Sequence, residues 1–414
     1  MFSLLICGSL FRPVQAKEPS YENFVYTESN IPTEDGNTIL GFSQDKMGNL
    51  TPLPNSPFYT GGAGIADPTF TEYRGLAFLL ADNDQGVIFD HEHNRLFAVN
   101  SGSNTIAVFN IKQNGTLVPV SGSPFPSGGV NPVSLGLAED KLYVVNKNLD
   151  INNPTQDAEG SQPNYTGFRV TSEGRLIPIP GSTVSIPSGS TPTQALISRN
   201  KKILFGVEYE AALLRSLRIL PDGRLVESPN SPQPLPASEF PPGGPPPVAL
   251  GLQVHPKLPI LYTGFLSTGK IGVYNYSPVT GELTFVKAVP SSGQAPCWLI
   301  INHQATRLYV ANTDDNSVTV FDLADPITPK EIQRVAIKQN SAAATELTFN
   351  SNESLLQVVD RRTSGNTLEG NAIDVFKVNP TDGTLSEIDS SPFPIESING
   401  SFPQGLVTIA GHRL

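Results

Sequence analysis

A short run of apolar and β-branched residues recurs seven times along the chain, and we call these runs the landmark strands. From the second copy onward they follow one another at intervals of roughly 45 to 60 residues. The copies are Phe24–Glu28, Leu96–Asn100, Leu142–Asn146, Leu204–Glu208, Leu261–Phe265, Leu308–Asn312 and Leu356–Asp360. Short runs of this composition predict buried β-strands, so the repetition indicates seven copies of one β-rich unit.

A second alternating run follows most landmark strands, and a Gly-x-Leu tripeptide then follows in six of the seven units. The alternating runs include Thr38–Phe42, Thr105–Phe109, Ile271–Tyr274, Val318–Phe321 and Ala372–Phe376. The glycines are Gly48, Gly115, Gly174, Gly223, Gly281 and Gly383, and the sixth unit has Asp325–Pro329 instead. A glycine there predicts a tight turn with positive φ that leads into an outer strand.

Another apolar run precedes each landmark strand from the second unit onward. These runs are Gly86–Phe89, Pro132–Leu137, Pro192–Ile197, Pro247–Leu252, Pro296–Ile301 and Thr345–Phe349. Four strands in each of seven units predict an all-β fold, a seven-bladed β-propeller with four-stranded blades. The first unit has no such run before it. The C-terminal run Gly405–Ile409 is left over, so we expect it to join the first blade and close the ring.

One propeller domain over residues 17–414 accounts for this pattern better than two β-sandwiches, which would not explain seven matching units. The composition agrees, because 38 Pro and 36 Gly leave little room for long helices and exclude a coiled coil or a helical bundle. The formal net charge of −11 argues against nucleic-acid binding and against attraction to anionic membranes.

The first 16 residues predict a secretory signal peptide. Residues 1–11 form a short apolar stretch, and Val14–Ala16 places small residues at the spacing of a signal-peptidase site. Removal of this segment would leave Cys297 as the only cysteine, so no intrachain disulfide is expected. We therefore expect a monomer that is secreted, either extracellular or periplasmic, and that needs no cofactor and no bound metal.

The run Leu308–Phe321, together with the Gly-x-Leu turns and the Gly-x-x-Pro starts of inner strands, resembles the seven-bladed lactonase family. That family includes 6-phosphogluconolactonases and carboxymuconate-lactonizing cyclases, and the resemblance covers residues 24–412. It implies the propeller fold and lactone chemistry. In the lactonizing relatives a Pro-Arg-His run at an inner-strand start supplies basic residues. The four starts with proline here read Pro-Val-Ser, Pro-Thr-Gln, Pro-Val-Ala and Pro-Cys-Trp, without Arg or His.

Any functional site is expected on the face where the inner strands start, which we call the mouth face. The opposite face carries the Gly-x-Leu turns, and we call it the plain face. The long insertions fall mostly on the mouth face, at residues 59–85, 147–162, 231–246 and 361–371. Function usually lies on variable loops that a rigid scaffold holds, so the mouth of the central channel is the predicted site.

The candidate catalytic residues are Glu208, at the end of a landmark strand, and Glu346, in an inner strand. Either carboxylate could act as a general base if burial raised its pKa, and the alternative is a hydrogen-bonded loop anchor. The candidate substrate-binding residues are Cys297, Trp298, Gln194, Arg361 and Arg362. Their alternatives are a buried thiol, an aromatic plug and a solvated pair of arginines.

Two functions remain open from the sequence. The protein could hydrolyse or form a small lactone at the channel mouth, with a lactone or carboxylate as its partner. Alternatively, it could be a non-catalytic extracellular propeller that binds a small ligand, a glycan or a protein on its loop-rich face.

Overall fold

A computed structural model describes residues 23–65, 71–73, 76–78, 85–150, 153–338, 342–362 and 370–411. The predicted signal segment 1–16 and part of the insertion 59–85 lie outside these residues. Seven antiparallel sheets follow one another along the chain, and each is one blade of a seven-bladed β-propeller. The predicted fold class is therefore confirmed.

Each blade contains four strands in chain order from the channel outward, except that blade 1 takes its inner strand from the C-terminus. The inner strands of blades 1 to 7 are Gln404–Ala410, Val87–Asp90, Pro132–Ala138, Leu196–Ile197, Ala249–Val254, Pro296–Ile301 and Ala342–Phe349. The second strands are Asn23–Glu28, Arg95–Asn100, Lys141–Asn146, Ile203–Glu208, Ile260–Phe265, Arg307–Asn312 and Leu355–Arg362. These second strands contain the seven landmark runs.

The outer half of each blade consists of a third strand, which contains the alternating run, and an outer strand that is shorter than the third strand except in blades 5 and 6. The third strands are Thr38–Gln44, Thr105–Ile111, Asn164–Val170, Leu213–Ile219, Lys270–Tyr276, Ser317–Asp322 and Ala372–Val378. The outer strands are Leu50–Pro52, Leu117–Pro119, Leu176–Pro178, Leu225–Glu227, Leu283–Pro290, Lys330–Ala336 and Leu385–Glu387. In five blades a two-residue strand continues the edge, at Phe58–Tyr59, Phe125–Pro126, Val184–Ser185, Gln233–Pro234 and Phe393–Pro394.

Two small hairpins and two 3₁₀ turns lie outside the blades. One hairpin joins Thr71–Tyr73 to Leu76–Phe78, and the other joins Leu149–Asp150 to Asn153–Asp157. Both belong to insertions of the mouth face, and the strands Thr71–Tyr73 and Asn153–Asp157 lie against each other. The 3₁₀ turns are Ala237–Glu239 and Leu266–Thr268.

The two ends of the described chain meet in blade 1. The strand Gln404–Ala410 pairs with Asn23–Glu28, with Phe24 opposite Ile409. Asn23–Glu28 pairs on its other side with Thr38–Gln44. The expected closure of the ring is thus confirmed, because the C-terminal strand supplies the inner strand of blade 1.

The landmark strands are continuously apolar because neighbouring blades cover both faces of each second strand. Every residue of Asn23–Glu28, Arg95–Asn100, Ile203–Glu208 and Ile260–Phe265 is buried. The Gly-x-Leu turns also form as predicted, since Gly48, Gly115, Gly174, Gly223, Gly281 and Gly383 all have positive φ. Glycine adopts this backbone region at little steric cost because it has no Cβ.

Buried tyrosines on the second strands connect four blades to the plain-face turns of the blades that follow. Each phenol donates a hydrogen bond to a turn carbonyl of the next blade. The bonds run from Tyr26 to Gly115 (2.6 Å), Tyr143 to Gly223 (3.0 Å), Tyr262 to Pro326 (2.8 Å) and Tyr309 to Gly383 (2.8 Å). In blade 7, Gln357 occupies the equivalent position and donates to Gln44 of blade 1 at 3.0 Å.

We expect Tyr143→Phe to lower the free energy of unfolding by about 1 kcal/mol, because the Gly223 carbonyl loses its phenol donor in a buried setting. The midpoint of urea unfolding measures this change. Tyr59→Phe is the matched control, because Tyr59 is 67% exposed and should tolerate the change. Equal midpoints for the two variants would show that the bond between blades contributes nothing.

Candidate functional site

A cavity of about 290 Å³ occupies the central channel. The inner strands of blades 1, 2, 4, 5, 6 and 7 form its wall. Near the mouth face the wall carries Gln85, Gln194, Trp298 and Glu346, and farther along the channel it becomes mainly apolar. The structure therefore brings together three of the sequence-predicted site residues, Gln194, Trp298 and Glu346, and adds Gln85 to them.

Most inner strands carry a bulge close to their first residues. The pairing register skips one residue in blades 1, 3, 5, 6 and 7, and the skipped residues are Gly405, Val133, Gly251, Cys297 and Thr345. A bulge re-aims the side chains that follow it, and such bulges are common beside functional sites. Trp298 and Glu346 each follow a skipped residue directly and line the cavity.

Glu346 is the only carboxylate among the described residues that line the cavity. Its side chain is 3% exposed, and its Oε1 accepts the backbone N–H of Gly405 at 2.8 Å. This bond joins the inner strand of blade 7 to the strand that closes the ring. A carboxylate held by a backbone donor beside a cavity has a fixed orientation, which proton transfer to or from a ligand requires.

Gln194 connects three blades at the mouth end of the channel. Its Nε2 donates to Oε1 of Gln85 in blade 2 at 2.9 Å and to the carbonyl of Leu252 in blade 5 at 3.2 Å. Its Oε1 accepts the N–H of Leu252 at 2.6 Å. Because these bonds engage both ends of its amide, Gln194 fixes the position of Gln85 on the cavity wall.

Glu208 is not among the residues that line the cavity. Its Oε1 accepts a hydrogen bond from Nε of Arg215 at 2.5 Å, and Arg215 also pairs with Glu227 on the outer strand. Burial raises the pKa of Glu208, and the charge of the Arg215 guanidinium opposes that rise. This geometry matches the loop-anchor alternative, with the carboxylate directed at its own blade.

Cys297 and Arg361 also lie away from the cavity wall. Cys297 is a bulge residue, its side chain is 4% exposed, and its Sγ accepts a hydrogen bond from Oγ1 of Thr313 at 2.8 Å. The guanidinium of Arg361 stacks over the ring of Phe402 at 5.8 Å and is buried. The backbone of Arg362 pairs with Ala342, and its side chain is outside the described part of the structure.

A second carboxyl group lies near Glu346, that of Glu28, which was not among the candidate residues predicted from the sequence. Glu28 ends the landmark strand of blade 1, the same position that Glu208 occupies in blade 4, and it is fully buried. Burial raises the pKa of Glu28 well above its usual range, and the nearby charge of Glu346 raises it further. Nδ2 of Asn37 donates to its Oε1 at 2.6 Å. The position in the repeat was a signal that could have identified it.

Blade 7 contains a further buried carboxyl pair, Asp360 and Asp374, which share a hydrogen bond. Asn316 of blade 6 donates to Oδ2 of Asp360 at 3.1 Å. The pKa of Asp374 is raised to about 7, mainly by burial and to a smaller extent by repulsion from the charge of Glu387. Burial likewise raises the pKa of Asp360, and the adjacent Asp374 adds to this rise. The pair belongs to the interior of the blade and not to the channel.

Within the described ranges, no group of three or more His, Cys, Asp or Glu side chains is placed to hold a metal ion. The same residues contain no helix with the length and apolar character needed to cross a bilayer.

The family comparison agrees with the motifs. Residues 250–325, which span blade 5 and three strands of blade 6, match the family described as "Lactonase, 7-bladed beta-propeller". The protein is a seven-bladed β-propeller, and its resemblance to the lactonase family is confirmed.

Solved structures match along nearly the whole chain. One is a putative 6-phosphogluconolactonase from Bacteroides fragilis, with 14% identity, a TM-score of 0.67, and coverage of 95% of this chain and 100% of that chain. Another is a periplasmic gluconolactonase from Pseudomonas aeruginosa, with 15% identity, a TM-score of 0.66, and coverage of 94% and 99%. At these identities the likeness shows a shared fold. No curated protein sequence matches the chain.

We expect Glu208→Gln to destabilise the fold by about 3 kcal/mol, because it removes one partner of a buried ion pair and leaves the Arg215 charge poorly compensated. Chemical denaturation measures the loss. Glu227→Gln is the matched control, since Glu227 contacts the same arginine but its side chain is 37% exposed, and a smaller effect is expected. A Glu208→Gln protein of unchanged stability would contradict the anchoring role.

We expect the stability of the protein to fall as the pH rises from about 4 to about 7, because Asp374 keeps its proton in the folded state and loses it in the unfolded state over that range. Asp374→Asn should weaken this slope and raise the unfolding midpoint above pH 7. Midpoints measured across the pH range provide the test. Asp389→Asn, at an exposed position on the same blade, is the matched control. An unaltered slope in Asp374→Asn would refute the assignment.

Proposed function

We propose that the protein is a secreted lactonase that hydrolyses a small uncharged lactone in the central channel, with Glu346 as the general base. One observation carries this proposal. Among the described residues that line the cavity, Glu346 and His91 are the only ionisable ones, and neither a lysine nor an arginine is present. Among these described lining residues, a buried anionic ligand would meet the carboxylate of Glu346 and no lysine or arginine.

The channel groups have complementary roles in this reaction. Glu346 accepts a proton from a water molecule while the water oxygen attacks the lactone carbonyl carbon. The bond between that carbon and the ring oxygen then breaks, and Glu346 returns the proton to the ring oxygen. The product is the open-chain hydroxy acid, and one water molecule is consumed. A positioned general base of this kind contributes roughly 10²–10⁴-fold to the rate.

Gln85 and Trp298 supply binding contacts beside Glu346. Oε1 of Gln85 accepts a hydrogen bond from Nε2 of Gln194. The amide nitrogen Nε2 of Gln85 is therefore the end of its side chain that can donate to a ligand oxygen. Trp298 provides an apolar ring for the face of a small cyclic molecule. A cavity of about 290 Å³ is at the small end of ligand pockets, which suits a single-ring substrate.

His91 is too distant to act with Glu346 as an acid–base pair. It follows the inner strand of blade 2, about five residues beyond the level of Glu346, which corresponds to roughly 15 Å along a strand. Proton transfer is therefore assigned to Glu346 alone. The Pro-Arg-His run of the lactonizing relatives is absent, and an uncharged substrate needs no group to hold a carboxylate.

Two observations support secretion. Residues 1–16 have the pattern of a signal peptide, and a structural neighbour is named as a periplasmic gluconolactonase. That neighbour's name also fits a substrate without a phosphate group.

We expect the purified protein to hydrolyse an uncharged sugar lactone such as glucono-δ-lactone faster than buffer does, and 6-phosphogluconolactone no faster than buffer. Acid release measured with a pH indicator provides the rate. Glu346→Gln should lower kcat by about 10²-fold or more, because the amide cannot accept the proton. Glu34→Gln is the matched control, since Glu34 is exposed and lies off the channel.

The outcomes separate the two candidate functions. Equal rates for the wild-type and Glu346→Gln proteins on every lactone would refute the hydrolase. Saturable binding of an uncharged lactone without turnover would favour the non-catalytic propeller instead. Faster turnover of the phosphorylated lactone would contradict the uncharged substrate class.

A further inference from the structure

A second cavity lies on the plain face, between blades 6 and 7, and we call it the plain-face cleft. Its volume is about 410 Å³, which is within the range of roughly 300–1,000 Å³ that is usual for small-molecule sites. Three turns surround it, at residues 302–306 of blade 6 and at residues 352–354 and 379–383 of blade 7. Its described lining residues are all different from those of the channel cavity.

Hydrogen bonds between the two blades join the sides of the cleft. The N–H of His303 in blade 6 donates to Oε1 of Glu353 in blade 7 at 2.7 Å. Nε of Arg307 in blade 6 donates to the carbonyl oxygen of Asp382 in blade 7 at 2.6 Å. The turns are thus held in place without a ligand, and a preformed site avoids the cost of ordering its loops on binding.

The floor of the cleft is apolar. Phe349 and Val378 line it, and the ring of Phe349 meets that of the buried Tyr309 edge to face, with centroids 5.2 Å apart. The side chains of the surrounding turns are mostly exposed. An apolar floor below polar turns suits a ring compound that has an apolar face and hydrogen-bonding groups at its edge.

Two asparagines of the cleft are held by their oxygen atoms. Oδ1 of Asn379 accepts the N–H of Thr381 at 2.9 Å, and Oδ1 of Asn352 accepts the N–H of Ser354 at 3.1 Å. Neither Nδ2 forms a hydrogen bond with the described residues. An amide nitrogen only donates, so each asparagine can offer a donor in a fixed position to a ligand.

Two carboxylates of the cleft are likewise held by one oxygen. Oε1 of Glu353 accepts the N–H of His303, and Oδ1 of Asp382 accepts the N–H of Thr384 at 2.9 Å. Hydrogen bonds from Thr384 lower the pKa of Asp382, so this group is ionised at neutral pH. Oε2 of Glu353 and Oδ2 of Asp382 form no hydrogen bond within the described part of the chain, and both can accept one from a ligand.

The equivalent turn of blade 4 shows that this open acceptor is specific to blade 7. Asp222, like Asp382, precedes the glycine of a Gly-x-Leu turn, and its Oδ1 accepts the N–H of Arg224 at 3.1 Å. Its Oδ2 is occupied, because Nε of Arg224 donates to it at 2.7 Å. Blade 7 has Thr384 at the position of Arg224, and the shorter side chain leaves Oδ2 of Asp382 available.

The charges of the cleft favour an uncharged ligand. Arg307 is the only cationic side chain among its described lining residues, and it already pairs with Asp322 of its own blade at 2.8 Å. An anion would be repelled by Glu353 and Asp382. A cation would meet the amide donors of the two asparagines and the guanidinium. Hydroxyl groups both donate and accept, so they match donors and acceptors placed side by side.

We propose that the plain-face cleft is a second binding site, which takes a neutral saccharide unit. Nδ2 of Asn352 and Nδ2 of Asn379 donate to its oxygens, and its hydroxyl groups donate to Glu353 and Asp382. The apolar face of the sugar ring lies against the floor of the cleft. This site is separate from the central channel, and it stands whether or not the channel hydrolyses lactones.

Neutral methyl glycosides are the probes for this site. At least one of methyl α-glucoside, methyl α-galactoside and methyl α-mannoside should bind saturably, as measured by saturation-transfer NMR and by titration calorimetry. The uronic acid of the same ring should bind severalfold more weakly, because its carboxylate meets those of the cleft. Absence of binding for all three glycosides, or tighter binding of the uronic acid, would overturn the proposal.

Substitutions that keep the anchoring bond test the open atoms. Asn379→Asp keeps Oδ1 and replaces the donor by an acceptor, so the dissociation constant should rise about fivefold or more. Asp382→Asn makes the opposite exchange and should also weaken binding. The matched controls are Asn114→Asp and Asp222→Asn, at exposed positions in the plain-face turns of blades 2 and 4. Asn114 has the same anchor, since its Oδ1 accepts the N–H of Thr116 at 3.2 Å, and both controls should bind as the wild type does.

The channel is the other place where a sugar could bind, and two variants separate the sites. Glu346→Gln should retain binding of the methyl glycoside, whereas Asn379→Asp should lose it and still hydrolyse any lactone at the wild-type rate. Binding that Glu346→Gln abolishes and Asn379→Asp retains would place the sugar in the channel, and the proposal would be wrong. Equal affinities of the Asn379→Asp and Asn114→Asp proteins would also refute it.

Discussion

The pairing of the last strand with the first constrains the whole molecule. Gln404–Ala410 supplies the inner strand of blade 1, which completes the ring and removes a sheet edge that would otherwise be exposed. The same strand forms part of the channel wall through Leu406, Val407 and Thr408. Its Gly405 N–H also holds Oε1 of Glu346. Ring closure and the orientation of the candidate base thus depend on one strand.

The polar residues that end the second strands form hydrogen bonds and ion pairs that stabilise the blades, whether or not they take part in chemistry. Each lies buried between blades, where its polar atoms need partners. Glu208 pairs with Arg215, and Asn312 donates to Thr319 at 2.6 Å. Carboxyl groups at these positions lose hydration, so burial raises the pKa of Glu28, Glu208 and Asp360. A perturbed pKa here reflects desolvation in the blade interior and is weak evidence for catalysis.

The sequence predicts the blades, the glycine turns and the closure because these depend on local patterns and on repetition. It also predicts that Gln194, Trp298 and Glu346 lie together at the channel, since equivalent strand starts meet around one axis. The contact of Arg215 with Glu208 and that of Gln85 with Gln194 could not be derived in the same way. Which long side chain reaches which partner depends on bulges and blade spacing, and the repeat does not encode these distances.

Solved structures named as lactonases share the fold of this chain at only 14–15% identity. The same propeller can therefore carry very different side chains at its functional site. Blade patterning persists because strands covered on both faces tolerate many apolar residues, so the ring survives extensive substitution. Ligand charge instead depends on a few side chains at the inner-strand starts. Here those starts present Gln194, Trp298 and Glu346 without a cation. Under the proposed function, a phosphorylated or dicarboxylate ligand would have to bury its charge beside Glu346, and this cost would favour an uncharged ring.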